Sequence, residues 1–151
     1  MLELKFKRLT DTMTVPTKAH DTDACFDLYA DIPNQTYDYY EEIDVYGTKI
    51  RHTGKGIIIP PHHTVKIPTG FATNIPHGYW GAIFARSGIA TKQGLRPAQG
   101  VSVIDEPYTG EWTIPLHNDT DKQQIISHGD RIAQFTLLPY FDTNLIEVNR
   151  L

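Results

Sequence analysis

The strongest constraint on the fold of this chain is an apolar pattern with a period of two. Leu2, Leu4 and Phe6 alternate with charged residues, and Val65 and Ile67 alternate with Thr, Lys and Pro. Such alternation places the apolar side chains on one face of a β-strand. No segment keeps the apolar spacing of a helix over three turns. We therefore predict a chain whose core is built from strands.

Further strand-like segments are short and follow one another roughly every ten residues. They cover residues 56–60, 71–75, 79–85, 101–104, 111–116, 132–138 and 145–148, with Pro, Gly, Asn and Asp between them. Many short strands divided by turns are typical of a β-sandwich or barrel. No repeat, linker or low-complexity tract divides the 151 residues. We expect a single all-β domain, residues 1–151.

Two segments depart from this pattern. Ser87 is a suitable N-cap, residues 89–93 can form one or two helical turns, and Gly94 can end them in a left-handed conformation. Residues 36–54 are rich in Tyr and in acidic residues, and they form either a β-hairpin arm or a long surface loop. We interpret residues 36–54 as an insertion within the domain.

Charge and composition exclude several classes of protein. The net charge is −4, whereas general nucleic-acid binding draws on a large basic surface. No apolar run approaches the roughly 18 residues of a membrane-spanning helix, and the N-terminus lacks the apolar stretch of a signal peptide. The single cysteine, Cys25, cannot form an internal disulfide. We expect a cytoplasmic protein, in a host's cytoplasm if it is viral, without nucleic-acid or membrane partners.

The segment 85–90, with the sequence ARSGIA, is a candidate anion site. It joins the end of a strand to the start of a short helix, where free backbone amides favour a negative charge. Gly88 lets a bulky oxyanion approach the backbone, and Arg86 can chelate phosphate oxygens. The alternative is structural: Ser87 caps the helix, and Arg86 pairs with a surface carboxylate.

The segment 99–110, with the sequence QGVSVIDEPYTG, delivers Asp105 to the end of a β-branched strand. A turn containing Pro and Gly then places Tyr108 nearby. Asp105 can orient and deprotonate a water molecule, and Tyr108 can stack on a sugar or a base. The alternative is ordinary turn chemistry, with an Asp at a strand end and an aromatic ring packed over a hairpin.

Two further segments carry polar residues next to strands. Residues 129–134, GDRIAQ, form a turn that leads into a strand and present Arg131 and Gln134, although most such turns are structural. In residues 23–30, DACFDLYA, Asp27 lies among apolar neighbours. A carboxylate in such surroundings is usually paired with an arginine, and Arg86 is a candidate. The seven histidines show no metal-ligand spacing.

Together, these four segments resemble motifs of the trimeric dUTPase family in their order and spacing. DACFDLYA is similar to the first motif, ARSGIA to the second, VSVIDEPYTGE to the third and GDRIAQ to the fourth. The resemblance extends from about Leu4 to Leu151. It implies a jelly-roll-like β fold and a homotrimer with active sites at subunit interfaces. It also implies hydrolysis of dUTP to dUMP and pyrophosphate.

By position, the resemblance also implies site residues. Asp105 would be the water-activating aspartate, and Mg²⁺ would be bound through the triphosphate rather than by protein side chains. Asp27 would help to anchor Arg86. The residues implied to bind substrate are Arg86, Ser87, Gly88, Gln99, Val103, Ile104, Tyr108, Thr113 and Gln134.

The chain departs from the family pattern in several places. Cys25 and Phe26 replace a usual Gly and Tyr, Ser102 stands where Gly is common, and Gln99 stands where Asn is frequent. The family also continues into a Gly-rich arm, carrying an Arg and a Phe, that closes over the nucleotide of a neighbouring site. The sequence ends at Leu151 without such an arm.

We expect a missing lid to reduce turnover more than binding, because lid closure excludes water from the site. Appending a Gly-rich arm after Leu151 should therefore raise the rate of dUTP cleavage, measured as pyrophosphate release. An unchanged rate after this addition would refute the expectation.

Two other functions are compatible with parts of this pattern. The dCTP deaminases share the fold but carry a catalytic Glu at the position that Pro115 occupies here, and proline cannot transfer a proton. Release of ammonia from dCTP would overturn this argument. The second alternative is a trimer that senses dUTP and binds a protein partner through residues 36–54, since exposed tyrosines favour interfaces. Those tyrosines could equally pack down on the sandwich.

Overall fold

Strands provide nearly all of the regular structure of this chain. The computed structural model describes residues 1–151. Its strands are β1 (Lys5–Arg8), β2 (Phe26–Tyr29), β3 (Thr36–Glu42), β4 (Lys49–Lys55), β5 (Ile57–Ile59), β6 (Thr64–Asn74), β7 (Tyr79–Phe84), β8 (Leu95–Pro97), β9 (Ser102–Ile104), β10 (Glu111–Asn118), β11 (Gln124–Ile126) and β12 (Arg131–Pro139). A single short helix, α1 (Ser87–Gln93), lies between β7 and β8. No helix has the length and apolarity that crossing a membrane requires.

Two four-stranded antiparallel sheets form the body of the fold. Their strand orders are β1-β6-β10-β8 and β2-β12-β7-β9, and the smaller pairs β5-β11 and β3-β4 complete it. The sheets face each other across one apolar core. The rings of Phe71 in β6 and Trp112 in β10 lie 5.7 and 4.9 Å from the ring of Phe135 in β12, between centroids. The prediction of an all-β sandwich is confirmed.

The alternation in β10 shows how the sequence dictates this packing. Trp112, Ile114 and Leu116 are fully buried, whereas the residues next to them along the strand are half-buried or exposed. Each such side chain contributes about 1.5–3 kcal/mol when it is removed from water. The alternation at the N-terminus buries less, because Leu4 and Phe6 line an apolar groove beside the core and Phe6 stays 46% exposed.

One predicted strand is absent. Every other predicted segment overlaps a strand, either in one of the two four-stranded sheets or at β5. Residues 145–148 form no strand, and Leu145 and Ile146 are 91% and 75% exposed. Apolar alternation supports a strand only where a neighbouring edge supplies backbone hydrogen-bond partners. This segment pairs with no strand of the chain, so the prediction for it is wrong.

The helix α1 begins one residue earlier than the sequence suggested. Arg86, in an extended conformation, is the N-cap, and no side chain caps the helix. Ser87 is already helical, and its carbonyl accepts a hydrogen bond from the Thr91 hydroxyl at 2.5 Å. The prediction of Ser87 as the N-cap is therefore wrong. The prediction for Gly94 is confirmed, because it ends the helix with φ 65° and ψ 28° and donates to Ala90.

Residues 36–54 form a hairpin, which decides between the two alternatives for this segment. β3 and β4 pair antiparallel along their whole length. The rings of Tyr39 and His52 stack across the hairpin with centroids 4.9 Å apart. Tyr40 and Tyr46, in contrast, are 64% and 91% exposed. The hairpin therefore packs some of its tyrosines on itself and presents others to solvent.

The contact between β7 and the core predicts a sensitive position at Gly81. A Cβ atom there would lie 2.8 Å from the Trp112 ring and 3.1 Å from Cβ of Ile104. Since overpacking of a core costs about 1–3 kcal/mol, Gly81→Ala should lower the free energy of unfolding by that amount in a denaturant titration. Gly88→Ala is the matched control, because nothing lies within 4 Å of a Cβ at Gly88. Equal stabilities of the two variants would contradict the packing described for β7.

Candidate active site

The pairing of β7 with β9 sets the geometry of the candidate site. The strands are antiparallel, with Gly81 opposite Ile104 and Ile83 opposite Ser102. Arg86 follows the end of β7, and Asp105 follows the end of β9. At roughly 3.3 Å per strand residue, Arg86 lies about 16 Å along β7 from Gly81. The two residues that stand out in the sequence therefore lie at opposite ends of this strand pair.

At one end, β12 brings together what we call the arginine cluster: Asp27, Arg86, Arg131 and Gln134. β12 lies between β2 and β7, and its Gln134 is opposite Asp27 on one side and Phe84 on the other. Arg86 Nε donates to Asp27 Oδ1 at 2.6 Å, and Arg131 Nη1 lies 3.7 Å from Asp27 Oδ2. The expected pairing of Asp27 with Arg86 is present in the structure.

The arginine cluster lines an open cavity of about 440 Å³, together with the exposed Ser87. The Asp27 side chain is 14% exposed and the Arg86 side chain 21%, whereas that of Arg131 is 53% exposed. Gln134 Nε2 donates to the Ala85 carbonyl at 2.8 Å, which fixes its orientation. Two guanidinium groups share the Asp27 carboxylate here, and Asp23 also lines the cavity. The donors that remain on Arg86 and Arg131 can bind an anion.

At the other end, Asp105 lies in what we call the Asp105 turn, residues 105–108. The Tyr108 N–H donates to the Asp105 carbonyl at 3.0 Å, and the Tyr108 hydroxyl donates to the Glu111 carbonyl at 2.7 Å. Asp105 and Tyr108 are exposed and line a small cavity with Val103, Ile104, Glu111 and Thr113. An exposed carboxylate beside a fixed aromatic ring can orient water next to a sugar or base.

A second cavity, of about 550 Å³, adjoins the same turn and is lined by Trp80, Val103, Asp105, Glu106, Pro107 and Tyr140. The Glu106 carboxylate accepts hydrogen bonds from the Tyr140 hydroxyl at 2.6 Å and from the Gly78 N–H at 2.8 Å. His77 Nδ1 lies 3.0 Å from its other oxygen. The hydrogen bonds from Tyr140, His77 and Gly78 lower the pKa of Glu106 to about 2. The same pairing raises the pKa of His77.

Of the other predicted residues, Gln99 precedes β9 and lines neither cavity at the Asp105 turn. Its Oε1 accepts a hydrogen bond from the Ser102 hydroxyl at 2.9 Å. Gly88 follows Ser87 in the first turn of α1. One chain thus assembles most of the predicted residues into two separate groups, and Gln99 belongs to neither. Sequence reasoning missed Glu106, for which the only signal was its position next to Asp105.

Comparison with solved structures identifies the class of this fold. The dUTPase of Staphylococcus bacteriophage 80alpha matches with a TM-score of 0.76 and 23% identity, over 99% of this chain and 97% of that chain. The dUTPase from phage phi11 of S. aureus matches with a TM-score of 0.77 and 22% identity, over 99% of this chain and 98% of that chain. The fold is the all-β fold of dUTPases.

Sequence comparison then identifies the family. A model of the dUTPase family matches residues 52–151. The deoxyuridine 5'-triphosphate nucleotidohydrolase of Gloeobacter violaceus is 31% identical over 150 residues, which cover 99% of this chain and 88% of that protein. That of Desulfitobacterium hafniense is 48% identical over 86 residues, which cover 56% of this chain and 57% of that protein. This chain belongs to the dUTPase family.

The hydrogen bonds of Glu106 predict a defined pH dependence of stability. The pKa of Glu106 is lowered from 4.5, so its contribution is complete above that pH and is lost as the pH falls towards 2. The pKa of His77 is raised from 6.5, so its contribution is complete below 6.5 and is lost as the pH rises through the folded value. The other ionisable groups that face this pair are Tyr140 and Asp142.

The stability difference between the wild type and Glu106→Gln should therefore be largest between pH 4.5 and 6.5. Urea titrations at several pH values measure this difference. Glu3→Gln, at an exposed glutamate of the N-terminal segment, is the control variant. A difference that stays constant from pH 2 to pH 7 would contradict the described network.

Proposed function

We propose that this chain is a dUTP diphosphatase, which hydrolyses dUTP to dUMP and pyrophosphate. The observation that carries this proposal is the exposed carboxylate of Asp105, held beside Tyr108 at the end of β9 in a member of the dUTPase family. Relatives that match this chain are deoxyuridine 5'-triphosphate nucleotidohydrolases. The reaction keeps uracil out of DNA and supplies dUMP for thymidylate synthesis.

In the proposed reaction, Asp105 orients a water molecule for in-line attack on the α-phosphorus and accepts its proton. A new bond forms between the water oxygen and the α-phosphorus. The bond from the α-phosphorus to the bridging oxygen breaks, and pyrophosphate leaves with the electron pair. The exposure of Asp105 supports this role, because a buried or ion-paired carboxylate would not be free to meet water.

The other residues bind and orient the nucleotide in this proposal. Arg86, Ser87, Gly88 and Gln134 hold the phosphates and offset their charge, with Asp27 fixing the Arg86 guanidinium. Tyr108 packs against the deoxyribose. The residues that contact uracil or the nucleoside are Gln99, Val103, Ile104 and Thr113. The fixed orientation of Gln134 and the positive charge of the arginine cluster support the phosphate assignment.

Mg²⁺ fits this site as a partner of the triphosphate. No group of three or more His, Cys, Asp or Glu side chains could hold a metal ion, and Arg86 occupies the Asp27 carboxylate. Mg²⁺ commonly keeps its waters and binds phosphate oxygens. When bound, it would reduce the negative charge of the phosphates. A mutant dUTPase from phage phi11 of S. aureus has been described as coordinating a structural Mg(II) ion, so Mg²⁺ occurs in a protein of this fold.

The distance between the arginine cluster and the Asp105 turn supports an oligomer as the working unit, and the family resemblance implies a homotrimer. Asp105 and Arg86 lie at opposite ends of the β7-β9 pair, so one chain offers them to different regions of its surface. In a head-to-tail cyclic trimer, one end of each subunit would lie against the opposite end of the next. Each active site would then combine Asp105 of one subunit with the arginine cluster of another.

The proposed reaction is tested by pyrophosphate release from dUTP, dCTP, dTTP and UTP with Mg²⁺. We expect cleavage of dUTP alone, and a loss of about 10²–10⁴-fold in kcat for Asp105→Asn, since this change removes the general base. Binding of dUTP should persist in the variant. Equal rates for the wild type and Asp105→Asn would refute the assignment of Asp105.

The shared site is tested by mixing two inactive variants, Asp105→Asn and Arg86→Ala, through co-expression. If each site takes these residues from two subunits, random trimers regain intact sites in about one quarter of positions. Activity should therefore return to roughly that fraction of the wild-type rate. Mixed trimers that remain as inactive as the separate variants would place both residues in the same subunit's site.

A protein partner at the β3-β4 hairpin is a separate proposal. The hairpin tip exposes Ile43, Val45 and Tyr46, which are 51%, 93% and 91% exposed. Exposed aromatic and aliphatic groups of this kind favour protein interfaces. Deletion of residues 36–54 should abolish partner capture in a pull-down and leave dUTP hydrolysis intact. Unchanged capture by the deletion variant would remove the case for this surface.

A further inference from the structure

Little of the Asp105 turn is buried, so packing against the core contributes little to holding the turn in position. Asp105, Pro107 and Tyr108 are all exposed, whereas the Glu106 side chain between them is only 25% exposed. The turn points away from the core, which ends at Ile104 on this side. Its conformation must therefore be fixed mainly by hydrogen bonds, and those of Glu106 are the most numerous on any of its side chains.

Three parts of the chain meet on the Glu106 carboxylate. Gly78 and His77 belong to the turn before β7, Tyr140 follows β12, and Glu106 itself belongs to the Asp105 turn. Hydrogen bonds to an ionised acceptor are roughly twice as strong as those between neutral groups. The Gly78 N–H is a rigid backbone donor, so it fixes the position of the carboxylate as well as stabilising it.

We propose that Glu106 is a positioning residue for the hydrolysis, which holds the neighbouring Asp105 carboxylate in its productive orientation. This inference rests on the proposed function of Asp105. A misplacement of about 1 Å can reduce a rate by about 100-fold. The residue next to the general base is therefore a sensitive point for catalysis, even though Glu106 itself contacts no reacting atom.

The same carboxylate links Asp105 to the C-terminal segment, residues 140–151. Tyr140 donates its hydroxyl to Glu106 and its N–H to the Gly78 carbonyl, at 2.6 and 3.0 Å. Tyr140 therefore binds both Glu106 and Gly78, which also bind each other. The residues after Tyr140 are exposed. A displacement of the segment at its first residue would remove one of the hydrogen bonds that fix the Asp105 turn.

Steady-state kinetics of Glu106→Gln, Tyr140→Phe and the double variant test this role. Glu106→Gln keeps the shape but loses the charge, and Tyr140→Phe removes one donor. We expect kcat to fall about 10-fold or more in Glu106→Gln and about 3-fold or more in Tyr140→Phe, with KM within about twofold, because only the position of Asp105 changes. The loss in the double variant should be smaller than the product of the two single losses, since both changes weaken the same contact between Tyr140 and residue 106.

Two matched controls separate this effect from general substitution effects. Tyr40→Phe changes an exposed tyrosine of β3 outside the hairpin tip, and Glu3→Gln changes an exposed glutamate near the N-terminus. Both should keep the wild-type kcat. A kcat of Glu106→Gln equal to these controls would overturn the proposal. If Glu106→Gln does not fold, Tyr140→Phe decides alone, and its unchanged kcat would overturn the proposal equally.

A readout that needs no catalysis keeps this proposal distinct from the proposed function. Amide hydrogen exchange of residues 105–109 in the ligand-free protein should become faster in Glu106→Gln, while exchange in β10 and β12 stays unchanged. Faster exchange throughout the chain would mean a structural role only and would overturn the proposal. If the wild type does not cleave dUTP, the reaction proposed for Asp105 fails, whereas exchange still decides whether Glu106 fixes the turn.

Discussion

The antiparallel pairing of β7 with β9 is the contact on which the candidate site depends. It puts Ile104 opposite Gly81, so Asp105 and Arg86 leave the sheet in opposite directions. The close approach of Gly81 to Trp112 then ties this pair to the centre of the core. Packing therefore determines the separation between the carboxylate and the arginine cluster. A separation set by a sheet is rigid, so one chain holds Asp105 and the arginine cluster apart.

The two ends of the β7-β9 pair differ in how their charged side chains are held in place. In the arginine cluster, one largely buried carboxylate holds Arg86 in place while Arg131 stays half in solvent. The positive charge of the two guanidinium groups is therefore in place before an anion binds. Binding then requires little further ordering of side chains. The Asp105 turn is the reverse case, since its carboxylate is exposed and its order comes from the residue beside it. Paired charges lie at one end of the strand pair, and an exposed carboxylate lies at the other.

Sequence reasoning predicted what depends on local periodicity. The strand predicted over residues 111–116 lies within β10, and the apolar neighbours of Asp27 correctly suggested Arg86 as its partner. Sequence reasoning failed where the structure depends on contacts between residues far apart along the chain. β8 and β11 exist through their pairing with β10 and β5, and residues 145–148 have the pattern of a strand but no edge to pair with. The partners of Glu106 lie 28, 29 and 34 residues away along the chain.

The β3-β4 hairpin leaves the body and returns to it at adjacent points, since the Gly56 N–H donates to the Gln35 carbonyl at 2.9 Å. Its strands pair only with each other. Because the ends of this hairpin are adjacent and its strands bond to each other, its length does not affect the sheets beneath it. Lengthening a closed loop also costs little entropy. Evolution can therefore extend, shorten or replace this hairpin without shifting the register of any strand that supports Asp105 or Arg86. The sequence and length of the hairpin are therefore free to diverge, whereas those of the strands that support Asp105 and Arg86 are not.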